Sequence, residues 1–137
     1  MLYRKILVID DNPVDLLICR KIIESAALAG EIVGQDSGSS ALDYLAATPV
    51  DERPEVIFLD LNMPVLDGFG FLKALENSPQ LLPNGCQIYI LSSSDNPQDR
   101  SRAVQSRYVK NYLTKPLSRE ILNSLTHSRP GSAPAIS

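Results

Sequence analysis

Three aspartates, a serine and a lysine in this chain stand where candidate strands stop. Ile6 to Ile9 ends in Asp10-Asp11, and Val56-Ile57-Phe58-Leu59 ends in Asp60. Cys86 to Leu91 ends in Ser92, and Lys110 to Thr114 ends in Lys115-Pro116. Short apolar runs rich in β-branched and aromatic residues read as strands, buried on both faces where the run is unbroken. In a parallel sheet all the strand ends share one edge, so three carboxylates, a hydroxyl and an ammonium would meet there. Two carboxylates about 4 Å apart repel by roughly 4 kcal/mol at an effective dielectric of about 20. The cluster therefore calls for cations. Lys115 supplies one charge, and a hard divalent ion such as Mg²⁺ suits the oxygen donors, especially where a phosphate shares it. Each residue alone reads better as a polar stop at a strand end. Their recurrence at successive strand ends is what points to chemistry.

The segments between these runs must position them. Asn12 is a good N-cap, Pro13 fits the first helical position, and Asp15 falls at N3, where the helix dipole favours an anion. Val14, Leu17, Ile18 and Ile22 follow helical spacing, which predicts a first helix to about Leu28, closed by Gly30. A weakly apolar edge strand is expected near Glu31 to Gln35, then a helix from Ser37 to Ala46 with Ala41, Leu42 and Leu45 on one face. After Asp60, Asn62-Met63-Pro64 and Asp67-Gly68 turn the chain. Phe69, Phe71, Leu72 and Leu75 predict a third helix. Asn96-Pro97-Gln98-Asp99 repeats the cap, proline and acid of the first helix and opens a fourth, expected to reach about Arg107. Arg100, Arg102, Gln105 and Arg107 make that helix polar and thinly buried. Ser118 caps a fifth, with Ile121, Leu122 and Leu125 inward. Five strand–helix alternations imply an α/β fold, a flavodoxin-like doubly wound (βα)5 domain whose five-stranded parallel sheet has the order 2-1-3-4-5. The domain is expected over residues 3–127, followed by a disordered Ser/Pro/Ala/Gly tail over 128–137.

A length of 137 residues fits one domain, and 44% hydrophobic with 21% charged residues is ordinary for a globule. The net charge of -3 gives no general attraction to nucleic acid or anionic lipid. No apolar run approaches the roughly 18 residues of a membrane span, and the apolar run at the N-terminus is too short for a signal peptide. The expectation is a cytoplasmic chain in which Cys19 and Cys86 are reduced packing residues.

With Asp10-Asp11, the Asp60-Leu61-Asn62-Met63-Pro64 to Asp67-Gly68 motif, Ser92 after an apolar strand and Lys115-Pro116, the chain resembles the response-regulator receiver domains of two-component signalling. The resemblance covers about residues 3 to 127 and is strongest to small stand-alone, chemotaxis-type regulators. It implies that Asp60 is the phosphoacceptor and that Asp10 and Asp11 hold Mg²⁺ directly or through water, with Asp60 and the Asn62 backbone carbonyl. It implies that Ser92 and Lys115 each bind a phosphoryl oxygen, and that Tyr112 is the switch aromatic. A cis Lys115-Pro116 bond is implied too, which an X-Pro bond allows at small cost. The implied activity is self-phosphorylation and dephosphorylation within a signalling protein, not turnover of substrate. The implied partners are a sensor histidine kinase or phosphotransfer protein and a downstream protein met through the fourth helix, fifth strand and fifth helix, with homodimerisation through the same surface. Two other readings fit less well. A phosphohydrolase with an aspartyl-phosphate intermediate, of the haloacid dehalogenase kind, needs a second acid where Asn62 stands. A flavin or nucleotide binder needs a Gly-rich loop where Asp10-Asp11 stands.

Overall fold

The structure is a computed structural model and describes residues 2–63, 65–93 and 96–127. The expected tail over 128–137, and Pro64 of the turn after Asp60, lie outside the described residues. The apolar runs form five strands: β1 (Tyr3–Ile9), β2 (Ala29–Gln35), β3 (Val56–Asp60), β4 (Gln87–Ser92) and β5 (Val109–Thr114). They pair in parallel in the order β2-β1-β3-β4-β5, as the alternation of elements predicts. The helices are α1 (Pro13–Ser25), α2 (Gly38–Ala47), α3 (Gly68–Asn77), α4 (Pro97–Ala103) and α5 (Arg119–His127).

Successive side chains of a strand point to opposite faces, so the continuous apolar runs feed two cores. Leu7, Ile9, Ile57, Leu59, Ile88 and Ile90 pack with Ala41 and Leu45 of α2 and Phe71 and Leu75 of α3. Ile6, Val8, Phe58, Leu91 and Leu113 pack with Cys19 and Ile23 of α1 and Leu122 and Leu125 of α5. Both cysteines are buried, and burial pushes each thiol up to about 12, so they pack rather than react.

Register carries the polar residues to one edge. Ile9 pairs with Leu59, Leu59 with Ile90, and Ile90 with Tyr112. Asp10 and Asp60 are the next residues along their strands, and Ser92 pairs with Thr114, the residue before Lys115.

Three boundaries differ from the sequence reading. α1 ends at Ser25, and the chain leaves it through Ala27 at φ 54, a left-handed turn made without glycine. Gly30 lies inside β2 and does not close the helix. α4 stops at Ala103, its sole buried residue, four short of Arg107. The expectation of a thinly covered helix holds, and the thin cover is why it is short: few apolar contacts extend it. The phase of α1 also differs. Its buried residues are Cys19 and Ile23, while Val14, Leu17 and Ile18 face solvent at 61%, 54% and 46% exposure.

The turn after β3 folds back tightly. The Gly68 N–H donates to the Leu61 carbonyl at 2.9 Å, and Asp67 caps α3 by accepting from the Gly70 N–H at 2.8 Å. A Cβ on Gly68 would stand 2.7 Å from Leu61 Cα and 2.9 Å from the Asp60 carbonyl oxygen. Gly68→Ala is therefore expected to cost about 1–3 kcal/mol as backbone moves to relieve the clash. Urea unfolding would show it as a lower midpoint at unchanged slope. An unchanged midpoint would mean that the turn yields freely.

Candidate functional site

Asp10, Asp11 and Asp60 each present a carboxylate oxygen, and these oxygens lie within 4.8 Å of one another. Asp10 and Asp60 are buried, at 4% and 5% exposure, and Asp11 is exposed. Backbone donors hold the two buried carboxylates. The Asn12 N–H donates to Asp10 Oδ1 at 3.0 Å, and the Asn62 N–H donates to Asp60 Oδ1 at 3.2 Å. Asn12 earns a second role as the α1 cap, accepting from the Val14 and Asp15 N–H groups at 2.9 and 3.1 Å.

Lys115 reaches into this cluster from the end of β5. Its backbone N–H donates to the Ser92 carbonyl at 2.8 Å, tying the tips of β4 and β5 together, and the Lys115-Pro116 bond is cis. Its Nζ lies 2.8 Å from Asp10 Oδ2, 3.1 Å from Asp15 Oδ2 and 3.8 Å from Asp60 Oδ2. Burial works against the ammonium, but hydrogen bonds to Asp10 and Asp15 and the charge of Asp60 outweigh it and carry Lys115 up to about 12. For Asp60 the balance goes the other way. Burial first, and then the Asp10 charge, push its carboxyl from 3.8 to about 6, against the pull of Lys115 and the Asn62 N–H. The acid cluster is thus under-neutralised by the Lys115 ammonium.

That donor set fits Mg²⁺: three hard carboxylates held close together, one of them resisting ionisation because of burial first and its neighbour's charge second. Asn62 sits in the turn directly after β3, exposed, where its backbone lies beside the Asp60 carboxylate. Ser92 is fully buried at the end of β4. Tyr112 is buried at 3% exposure on β5, and the Arg100 guanidinium of α4 stands 4.7 Å from its ring centre. Arg100 Nη1 also donates to the Tyr112 carbonyl at 3.4 Å. All the residues singled out from sequence thus lie on the carboxyl edge of the sheet or, for Tyr112, two residues before the end of β5. Two contacts were not foreseen: the Asp15–Lys115 pair and the Arg100–Tyr112 stack. The first joins residues 100 apart and the second residues 12 apart, and only the placement of α1 and α4 over the strand ends could reveal them.

The doubly wound parallel sheet, with an acidic trio and a lysine at its strand tips, is that of a receiver-type signalling domain. The chain matches the family model for the response regulator receiver domain over residues 6–126, and it belongs to that family. It is 33% identical over 119 residues to the probable methanogenesis regulatory protein FilR2 of Methanothrix harundinacea, covering 85% of this chain and 75% of that one. It spans only 56% of some longer curated relatives. Among solved structures, a two component response regulator from Cytophaga hutchinsonii superposes with a TM-score of 0.82 at 30% identity, covering 93% of this chain and 97% of that one. The receiver domain of the sensor histidine kinase PA1611 from Pseudomonas aeruginosa superposes with a TM-score of 0.72 at 25% identity, covering 94% and 98%. That structure has a magnesium ion coordinated in its active site cleft. Among the described residues no helix is long and apolar enough to cross a membrane.

Proposed function

We propose that Asp60 accepts a phosphoryl group from the phosphohistidine of a sensor histidine kinase or a phosphotransfer protein, or from a small acyl phosphate, and that this switches a protein-binding surface. The observation that carries the reading is the approach of Asp10, Asp11 and Lys115 to Asp60 within a few ångströms on one sheet edge. The Asp60 carboxylate attacks phosphorus in line, the bond from phosphorus to the donor's nitrogen or oxygen breaks, and an acyl phosphate forms. A carboxylate is a weak nucleophile, so alignment and charge neutralisation supply most of the rate. Lys115 neutralises charge on the phosphoryl oxygens. Asp10, Asp11, Asp60 and the Asn62 backbone carbonyl would hold Mg²⁺, which when bound adds positive charge against those same oxygens. Water later attacks the acyl phosphate and resets Asp60. The exposed apolar face of α1, with Val14, Leu17 and Ile18, borders the site and suits contact with the protein that brings the phosphoryl group.

The phosphoryl group brings nearly two negative charges. Charge-assisted hydrogen bonds from Ser92 and Lys115, at roughly 1.5–3 kcal/mol each, total about 3–6. Turning a 1:99 equilibrium into 99:1 needs about 5.5 kcal/mol. In this reading Ser92 moves toward the phosphoryl group, Tyr112 takes the space released, and thinly buried α4 follows. The output is then a contact with a downstream protein, or a second copy, through α4, β5 and α5 in the cytoplasm. Serine lacks the β-branch that restricts χ1, so Ser92→Thr should couple more completely. Larger phosphorylation-dependent shifts of the Tyr112 resonances would show this, and identical shifts would count against it.

Acetyl phosphate with Mg²⁺, followed by intact mass, tests the whole reading. Wild type should gain one phosphoryl group and Asp60→Asn none. Continuous turnover of phosphate esters would instead favour a phosphohydrolase.

A further inference from the structure

Lys115 does not favour the proposed phosphoacceptor. Its ammonium sits within hydrogen-bonding distance of Asp10 and Asp15, at 2.8 and 3.1 Å, and stands off Asp60 at 3.8 Å. Asp10 belongs to the acidic trio, whereas Asp15 does not. Asp15 comes from the first turn of α1, where Asn12 caps its N–H and the helix terminus favours its charge. It reaches Lys115 across a groove between α1 and the Lys115-Pro116-Leu117 segment, with its own side chain 43% exposed.

We propose that Asp15 is a positioning residue that holds Lys115 toward α1 in the unphosphorylated protein, so that an incoming phosphoryl group must take the ammonium from it. The proposal rests on the assignment of Asp60 as phosphoacceptor and of Lys115 as its cationic partner. An ammonium has three N–H donors and a single charge. With Asp10 drawn to a metal, Asp15 is the close anion that competes with a phosphoryl oxygen for Lys115. Asp15 also adds a like charge near the group being accepted. Both effects oppose phosphorylation, and both are lost when the carboxylate becomes an amide of the same shape.

Beryllofluoride, an unreactive mimic of the phosphoryl group, tests this on the full chain at saturating Mg²⁺. Titration followed by the Tyr112 amide resonance should give an apparent affinity about twofold to fivefold tighter for Asp15→Asn than for wild type, the size expected of a half-exposed ion pair. Asp15→Glu, which restores the charge, should return the affinity close to the wild-type value. Labelling by acetyl phosphate should speed up in Asp15→Asn by a similar factor. A residue needed only for the fold would weaken binding or leave it unchanged when altered, and either result overturns the proposal. The two readings fail separately. If wild type and Asp15→Asn both become labelled on Asp60 at equal rates and bind beryllofluoride equally, only the role of Asp15 falls. If wild type takes no label at all, the assignment of Asp60 falls, and the role of Asp15 with it.

Discussion

Asp60→Asn should make the metal-free protein more stable at neutral pH while abolishing phosphorylation. The Asp60 carboxyl is raised from 3.8 to about 6, first by burial and then by Asp10, so its ionisation is harder in the folded chain than in the unfolded one. Between those two values the folded protein binds more protons than the unfolded one, and stability falls as pH rises. The wild type therefore holds the full contribution of a neutral Asp60 below about pH 4 and has lost it above about pH 6. Asparagine never ionises and escapes that loss. Linkage over about two units is worth at most roughly 3 kcal/mol, and solvent at the mouth of the site lowers this to about 1–2 kcal/mol. Urea unfolding in the presence of a chelator should show the variant ahead by that amount at about pH 7.5 and level with wild type near about pH 4. A gap that persists at the acid end would point to packing, not charge. Mg²⁺ should stabilise the wild type more than the variant, because it relieves the same repulsion.

The second large effect concerns Lys115. Replacing it with methionine keeps an unbranched apolar stem one atom shorter and removes the ammonium paired with Asp10 and Asp15 and standing 3.8 Å from Asp60. Lys115 is raised to about 12, so its contribution is whole below its ordinary value of 10.5 and fades only as pH passes through about 12. At neutral pH all of it is therefore lost in Lys115→Met. Breaking a fully buried pair costs about 3–5 kcal/mol, and partial exposure of this cluster reduces that to about 2 kcal/mol. The carboxylates left behind repel without relief, so the loss should shrink as pH falls and Asp60 becomes neutral. The variant should still bind Mg²⁺. It should label slowly with acetyl phosphate, and its Tyr112 resonances should fail to shift on phosphorylation. Normal shifts would remove Lys115 from the switch.

The strand ends were legible because apolar runs broke at charged residues, and parallel register then left Asp10, Asp60, Ser92 and Lys115 few places to go. Asn12-Pro13 and Asn96-Pro97 marked helix starts because capping is local chemistry. What stayed hidden was tertiary. The first helix carries apolar residues on most of its circumference, so helical spacing identified it without telling the buried Cys19 and Ile23 from the exposed Val14, Leu17 and Ile18. Its end at Ala27 uses a left-handed conformation that alanine seldom adopts, and Gly30 was the more natural candidate. The position of Asp15 at N3 suits the helix dipole and is visible in the sequence, but its contact with Lys115 spans 100 residues of sequence. The cover that Arg100 gives Tyr112 depends likewise on where a short helix comes to rest.

On the proposed function, Asp60 is the side chain that carries the phosphoryl group. Borohydride reduces an aspartyl phosphate to homoserine, so labelling with acetyl phosphate and Mg²⁺, reduction and peptide mapping read the site directly. Homoserine at position 60, and at no other aspartate, is the predicted result. Homoserine at Asp10 or Asp11, or a phosphorylated protein that yields none, would contradict it.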